Sequence, residues 1–187
     1  MDKRELKKTI RLEQRKRNAW IPDAKLQVCS EEIFQRLITL PVFEEARSIF
    51  CYASTNGEIS SWGILEHVLK TGRELSVPRC LGGGIMQAGV IHHLSELHRG
   101  RYGIMEPPET AVVQPSPDVC ILPWVACTEN GIRLGQGGGY YDRYLASHPN
   151  TTSILLCGSW QLSSSLPFED TDMTVDWIVS ENKAWEA

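Results

Sequence analysis

The fourteen residues Gly131–Tyr144, GIRLGQGGGYYDRY, constrain this chain more than any other stretch. Gly135, Gly137, Gly138 and Gly139 are packed between a basic residue, Arg133, and the run Tyr140, Tyr141, Asp142, Arg143. Glycine permits positive φ and a close backbone approach to a ligand, leaving N–H groups turned toward an anion. The apolar run Val119–Val125 reads as a buried strand before the loop, and Tyr140–Ala146 as the first turns of a helix after it. A glycine loop feeding a helix N-terminus is suited to hold an anion. A bare glycine cluster is as readily a surface turn, but aromatics and charges abut this one, unlike a solvated Gly/Ser linker. The stretch is not a P-loop, since no Gly-Lys-Ser/Thr ends it. It also lacks the dinucleotide fingerprint, which opens a helix in a strand–helix–strand unit with an acid about 20 residues on.

The chain of 187 residues is long enough to bury a full core, and a single domain over 1–187 is expected. No apolar run approaches the roughly 18–20 residues that span a bilayer, so no membrane association is expected. The first 17 residues lack the apolar segment of a signal peptide, and Asp2, Glu5 and Glu13 argue against a mitochondrial presequence. Six scattered cysteines (Cys29, Cys51, Cys80, Cys120, Cys127, Cys157) include no CxxC and suggest neither a disulfide framework nor a zinc site. A reduced, cytoplasmic setting follows, with Cys51, Cys120 and Cys157 as core residues. Residues 1–17 carry eight Lys/Arg and three acids, +5, so the rest of a chain of net charge −4 carries −9. A basic segment on an acidic body suits a polyphosphate held between them better than a duplex, which the body would repel. No nucleic-acid partner is expected.

Hydrophobic spacing predicts helices over residues 2–18 (Asp2 as cap, Leu6 and Ile10 inward), 23–40 and 61–69, and a helix from Tyr140 to about Ser147. Strands are predicted at Ser48–Ala53, Glu74–Val77 (stopped by Pro78), Met86–His92, Val119–Val125, Thr152–Leu156 and Trp177–Ser180, with turns at Ser54–Glu58 and Gly82–Gly84. Alternating strands and helices without repeats indicate an α/β fold: a mainly parallel, twisted sheet flanked by helices, with ligands beyond the strands' C-terminal ends.

The segment Asn130–Arg143 matches the pattern N-G-x-R-L-G-x-G-x-G-Y-Y-D, and in this the chain resembles the 5-formyltetrahydrofolate cyclo-ligase (5,10-methenyltetrahydrofolate synthetase) family. Weaker pieces fall in family order along essentially the whole chain: Lys3-Arg4-x-x-Lys7, Gly57-Glu58-Ile59, Val77-Pro78-Arg79, Gly103-Ile104-x-Glu106-Pro107 and Val175-Asp176. The resemblance implies a scaffold like that of sugar-phosphate isomerases and CoA transferases. It implies closure of 5-formyltetrahydrofolate to 5,10-methenyltetrahydrofolate with ATP as co-substrate and Mg²⁺ as cofactor, by a monomer whose folate is free or polyglutamylated. In such enzymes the formyl oxygen is phosphorylated, N10 attacks, and phosphate leaves. Alignment of two ligands and neutralisation of phosphate charge then do most of the work, without a protein nucleophile.

The resemblance also assigns roles. ATP falls to Lys3, Arg4, Lys7, Arg133, Leu134, Gly135, Gln136, Gly137, Gly138, Gly139, Tyr140 and Tyr141, with Arg133 and Tyr140 at the catalytic centre. Lys3 and Lys7, spaced i, i+4, share a helix face. As side chains alone, Arg4, Lys8, Arg11 and Arg15–Arg17 read as surface charge. Arg133 is placed to pair with phosphate bidentately, against the alternative of a surface ion pair. One of Tyr140 and Tyr141 is expected in the core and the other on a base or pterin. Gly138 stands where some relatives carry lysine, and Arg143 is a candidate to replace that contact. Asp142 and Asp176 match the metal carboxylates, with Asp172 a competitor and a structural turn the alternative for Asp176. Glu58 matches the folate-contacting glutamate, and Arg79, Tyr102, Glu106 and Trp124 are assigned to the same folate cleft, although for Tyr102 and Trp124 an aromatic near a strand end is more often core. Two other functions stay open: a non-catalytic folate or nucleotide binder, and a sugar-phosphate-isomerase-like enzyme on the same scaffold. The second would need a catalytic carboxylate and leaves the basic segment unexplained.

Overall fold

The computed structural model describes residues 2–187. In chain order its elements are α1 (Lys3–Ala19), α2 (Asp23–Leu37), α3 (Pro41–Glu44), β1 (Ser48–Cys51), α4 (Trp62–Lys70), β2 (Glu74–Gly82), β3 (Ile85–Ile91), β4 (His98–Arg99), β5 (Met105–Glu106), β6 (Val119–Leu122), β7 (Ala126–Cys127), β8 (Arg133–Leu134), α5 (Tyr140–Ser147), β9 (Thr152–Cys157), β10 (Trp177–Ser180) and β11 (Ala184–Glu186). Seven strands form one sheet in the order β11-β10-β9-β6-β1-β2-β3. The five from β10 to β2 are parallel, and the edge strands β3 and β11 pair antiparallel.

Both faces of the sheet are apolar because successive side chains alternate between two buried layers. Ile49, Cys51, Ile121, Ile154 and Leu156 pack with Ile33 and Leu37 of α2, Phe43 of α3 and Leu65 of α4. Phe50, Cys120, Leu122, Leu155 and Cys157 face the other way, against Tyr144 and Leu145 of α5. Cys51, Cys120 and Cys157 are fully buried core residues, as expected. No helix among the described residues is long and apolar enough to cross a membrane.

Four local expectations need correction. β2 runs through Pro78 to Gly82; its pairing with β1 ends at Ser76, so one flank of the proline carries no strand whose ladder it would break. A small hairpin, β7–β8, separates the apolar run of β6 from the glycine loop, so Arg133 and Leu134 lie on a strand. An additional edge strand, β11, follows β10. Finally, the inward face of α1 is polar: Lys7 and Gln14 are its buried residues, while Leu6 and Ile10 are only half-buried.

From β1 the chain continues to β2 on one side, whereas β6 lies on the other. The carboxyl ends of β1 and β6 therefore diverge at a topological switch point, where open α/β sheets place their ligand crevice.

Candidate functional site

A cleft of about 280 Å³ opens at that point. The segment after β1 supplies Tyr52, Thr55 and Glu58, and the segment after β6 supplies Pro123 and Trp124. Arg15 of α1 and Gln136 of the glycine loop close the remaining side. Trp124 is 6% exposed, and its Nε1 donates to Leu156 O at 2.6 Å, which fixes the indole as a wall. Glu58 Oε2 accepts from Thr55 N at 2.7 Å and from Thr55 Oγ1 at 3.0 Å. Burial pushes the Glu58 carboxyl above its ordinary range, against the lowering effect of those two bonds.

The glycine loop runs from β8 to α5 along one edge of this cleft, and Gly139 (φ 66°) makes the turn into the helix. Among the described residues, no N–H of residues 136–139 donates to a backbone acceptor, an open row of donors at a helix N-terminus. The basic face of α1 lies against it. Arg11 Nε donates to Gly135 O at 2.8 Å, and Arg15 Nη2 to Gln136 Oε1 at 2.6 Å. Side-chain type alone does not distinguish Arg11 and Arg15 from surface charge. Their spacing was the available signal, because Lys3, Lys7, Arg11 and Arg15 repeat every four residues along one helical face.

Lys3 Nζ donates to Phe168 O at 2.9 Å. Lys7 Nζ is 2.6 Å from both Glu169 Oε2 and Asp172 Oδ2. Burial opposes its charge, but the two carboxylates outweigh burial and raise its pKa. Arg4 is exposed. Arg133 is buried, with Nη2 donating to Asp142 Oδ1 at 2.7 Å; its Nε is buried with no hydrogen-bond partner among the described residues. Asp142 Oδ1 also accepts from Met173 N at 3.1 Å.

The carboxylate next to this network is Asp172, one residue before Met173, rather than Asp176. Asp176 Oδ2 accepts from Ser153 N and Oγ at 2.7 and 2.6 Å. Ser153 and Asp176 lie at the amino ends of β9 and β10, the edge of the sheet away from the cleft. Asp118 makes the same bond to Ser48 N at the start of β1, so both aspartates tie neighbouring strands together.

The residues assigned to folate divide. Glu58 and Trp124 share the cleft. Arg79 does not line it; its Nη1 donates to Pro108 O at 3.0 Å and its Nη2 to Gln87 Oε1 at 2.6 Å, holding the 107–109 connector. Glu106 is 5% exposed and accepts from Cys80 N at 3.4 Å, packing β5 onto β2. Tyr102 is exposed, and its hydroxyl lies 3.3 Å from that of Tyr140. That contact and burial raise the Tyr140 phenol, which therefore remains protonated at neutral pH. Tyr140 belongs to a second recess of about 230 Å³ with Gly84, Arg143 and His148. Tyr141 is the core member of the pair, stacked on Phe50 with ring centroids 6.2 Å apart.

No cluster of three or more metal-ligating side chains exists among the described residues. Asp142 Oδ2 and Asp172 Oδ1 nevertheless take no hydrogen bond there. Two carboxylates beside a loop rich in N–H donors fit Mg²⁺, which takes one or two carboxylates and completes its shell with phosphate oxygens and water.

Comparison with known proteins gives the family and the fold. A family model described as the 5-formyltetrahydrofolate cyclo-ligase family matches residues 2–181. The chain is 31% identical over 178 residues to the 5-formyltetrahydrofolate cyclo-ligase of Escherichia coli (strain K12), covering 91% of this chain and 97% of that protein. Its fold is similar to the NMR structure of Aquifex aeolicus 5,10-methenyltetrahydrofolate synthetase, with a TM-score of 0.83 and 29% identity over 100% of this chain and 93% of that one. A 5,10-methenyltetrahydrofolate synthetase from Mycoplasma pneumoniae shares the fold at a TM-score of 0.70 and 20% identity, over 97% of this chain and 99% of that one.

Proposed function

This chain belongs to the 5-formyltetrahydrofolate cyclo-ligase family, enzymes of the ligase class, and on that premise we propose that it closes 5-formyltetrahydrofolate to 5,10-methenyltetrahydrofolate at the expense of ATP. One observation carries the reading: the glycine loop, with its open N–H groups and the basic face of α1 against it, borders the same cleft as Glu58 and Trp124. That arrangement supports adjoining seats for a polyphosphate and a pterin.

Trp124 offers the pterin a fixed apolar wall, and the free oxygen of Glu58 accepts from the N–H groups of its edge. The ATP phosphates lie on the N–H groups of residues 136–139. Arg11, Arg15, Lys3 and Lys7 supply positive charge on one side, and Arg133 on the other. Asp142 and Asp172 would hold Mg²⁺, which when bound supplies further neutralisation of phosphate charge.

The chemistry then asks mainly for alignment. The γ-phosphoryl group passes to the formyl oxygen as its bond to ADP breaks. N10 then forms its bond to the formyl carbon and loses its proton, and the former formyl oxygen departs within inorganic phosphate. A formamide oxygen is a poor leaving group until phosphorylated, so holding both ligands within reach supplies much of the acceleration. Tyr140, protonated at neutral pH, is a hydrogen-bond donor at the loop and not a base. The protein is read as a cytoplasmic monomer that accepts free or polyglutamylated folate.

The test is to mix purified protein with 5-formyltetrahydrofolate, Mg²⁺ and ATP and follow the near-ultraviolet absorbance of the methenyl product. ATP-dependent product formation establishes the reaction. Binding of both ligands without product would assign the chain to a non-catalytic binder.

A further inference from the structure

Arg143 lies on the first turn of α5 and makes contacts that none of the roles above uses. Its Nε donates to Gly84 O at 2.9 Å, and its Nη2 donates to Gly138 O. Gly84 is the last glycine at the tip of the β2–β3 hairpin, and its backbone is left-handed (φ 78°). A Cβ at Gly84 would collide with the Arg143 guanidinium, and one at Gly139 would stand 2.9 Å from Arg143 Nη1. Two glycines from distant loops thus form a slot that one guanidinium fills.

The carbonyl of residue i and the N–H of residue i+1 belong to one planar peptide and point in opposite directions. Drawing Gly138 O toward Arg143 therefore turns the Gly139 N–H the other way. Arg11 does the same at the loop's start by holding Gly135 O, which turns the Gln136 N–H. Between these two guanidinium contacts, no N–H of residues 136–139 donates to a backbone acceptor among the described residues.

We infer that Arg143 is the positioning residue of the phosphate loop: seated on Gly84 and Gly139, it locks the β2–β3 hairpin to the loop and holds residues 136–139 with their N–H groups presented to the ATP polyphosphate. The inference rests on the ATP reading above. It differs from a direct phosphate contact because the guanidinium fork is already divided between two carbonyls. A lysine would keep the charge and lose the fork.

The test compares the parent protein with Arg143→Ala, Arg143→Lys and Gly84→Ala. Backbone ¹⁵N order parameters of residues 136–139, measured without ligand, are expected to fall in both Arg143 variants. The dissociation constant for Mg-ATP is expected to rise on the order of tenfold in both, as for a displaced binding group, with affinity for 5-formyltetrahydrofolate within about twofold of the parent. Gly84→Ala should reproduce the ATP defect, and combining it with Arg143→Ala should add nothing further. Unchanged order parameters at residues 136–139 overturn the inference, whether or not the protein turns over. Recovery of ATP affinity by Arg143→Lys also overturns it, by making the side chain a plain phosphate charge. Equal loss of ATP and folate affinity overturns it in favour of general support of the fold. Turnover by the parent judges the ATP reading separately: a parent without turnover or ATP binding removes that reading, while the order parameters still decide whether Arg143 orders the loop.

Discussion

Arg133 Nη2 meets Asp142 Oδ1 at 2.7 Å, with the arginine side chain 3% exposed and the aspartate 24%. The pair joins the strand before the glycine loop to the helix after it, so a carboxylate proposed for the metal also neutralises a buried guanidinium. Removing one partner of a buried pair leaves the other charge uncompensated. Asp142→Asn keeps an amide acceptor for Arg133 and the residue is partly exposed, so a stability loss of roughly 2 kcal/mol is expected, below the full cost of a broken buried pair. Mg²⁺-dependent turnover should fall by far more than that loss explains. Urea unfolding beside activity measures both effects. A variant as stable as the parent would show that the pair contributes nothing to folding.

Asp172 and Asp176 should separate cleanly. Asp172 lies beside the Asp142 network and Lys7, whereas Asp176 is engaged with Ser153 at the other edge of the sheet. Asp172→Asn is expected to raise the Mg²⁺ concentration needed for half-maximal turnover by about tenfold or more. Asp176→Asn should leave that concentration unchanged and cost about 1 kcal/mol of stability, from weaker acceptance of two hydrogen bonds at an exposed site. A magnesium titration of both variants decides it, and a metal defect in Asp176→Asn would return that residue to the site.

The difference between those two aspartates marks where sequence reading ends. The parallel α/β class and the glycine loop are legible because they depend on local sequence: continuous apolar runs at Ile49–Cys51 and Ile154–Cys157, and glycines clustered before a helix. Asp172 and Asp176 are both short acids in an irregular segment, and only the register of β9 with β10 tells which edge of the sheet each reaches. The hydrogen bonds of Arg79 and the burial of Glu106 depend likewise on how the connector 107–114 folds back along β2 and β3. Arg11 and Arg15 are legible in the sequence, since the four-residue spacing that links Lys3 to Lys7 continues through both.

Glu58 supplies a pH dependence. Burial raises its pKa in the folded protein, so its ionised form is disfavoured there and becomes protonated on acidification sooner than an ordinary glutamate. A protonated carboxyl loses acceptor capacity toward pterin N–H groups. Folate affinity is therefore expected to weaken as pH falls, beginning above the usual glutamate range near 4.3. The linkage to stability has the opposite sense: a raised carboxyl pKa means ionisation costs folding free energy above that pKa, and acidification through it relieves the cost. Glu58→Gln should bind folate about tenfold more weakly at neutral pH, lose the acid-dependent step, and melt no lower than the parent. Binding titrations at several pH values check this, and a step retained in Glu58→Gln would assign the titration to another group.

Lys7 offers the most direct test of how the basic helix is held to the acidic body. Its nitrogen lies 2.6 Å from Glu169 and 2.6 Å from Asp172, so it neutralises two carboxylates that would otherwise face one another. Lys7→Met keeps the length of the stem and removes the charge. The repulsion between the two carboxylates then goes uncompensated. The expected stability loss is roughly 1–3 kcal/mol at neutral pH, discounted for the partial exposure of Glu169 and Asp172. It should narrow as pH rises above the ordinary lysine range of about 10.4, because a lysine whose folded pKa is raised contributes stability that is lost as it deprotonates. ATP affinity should fall with the lost charge, while folate affinity should remain close to that of the parent. Chemical denaturation of both proteins between neutral and alkaline pH is the measurement. A gap that stays constant across that range would mean that Lys7 contributes through packing of its stem, and not through the two carboxylates.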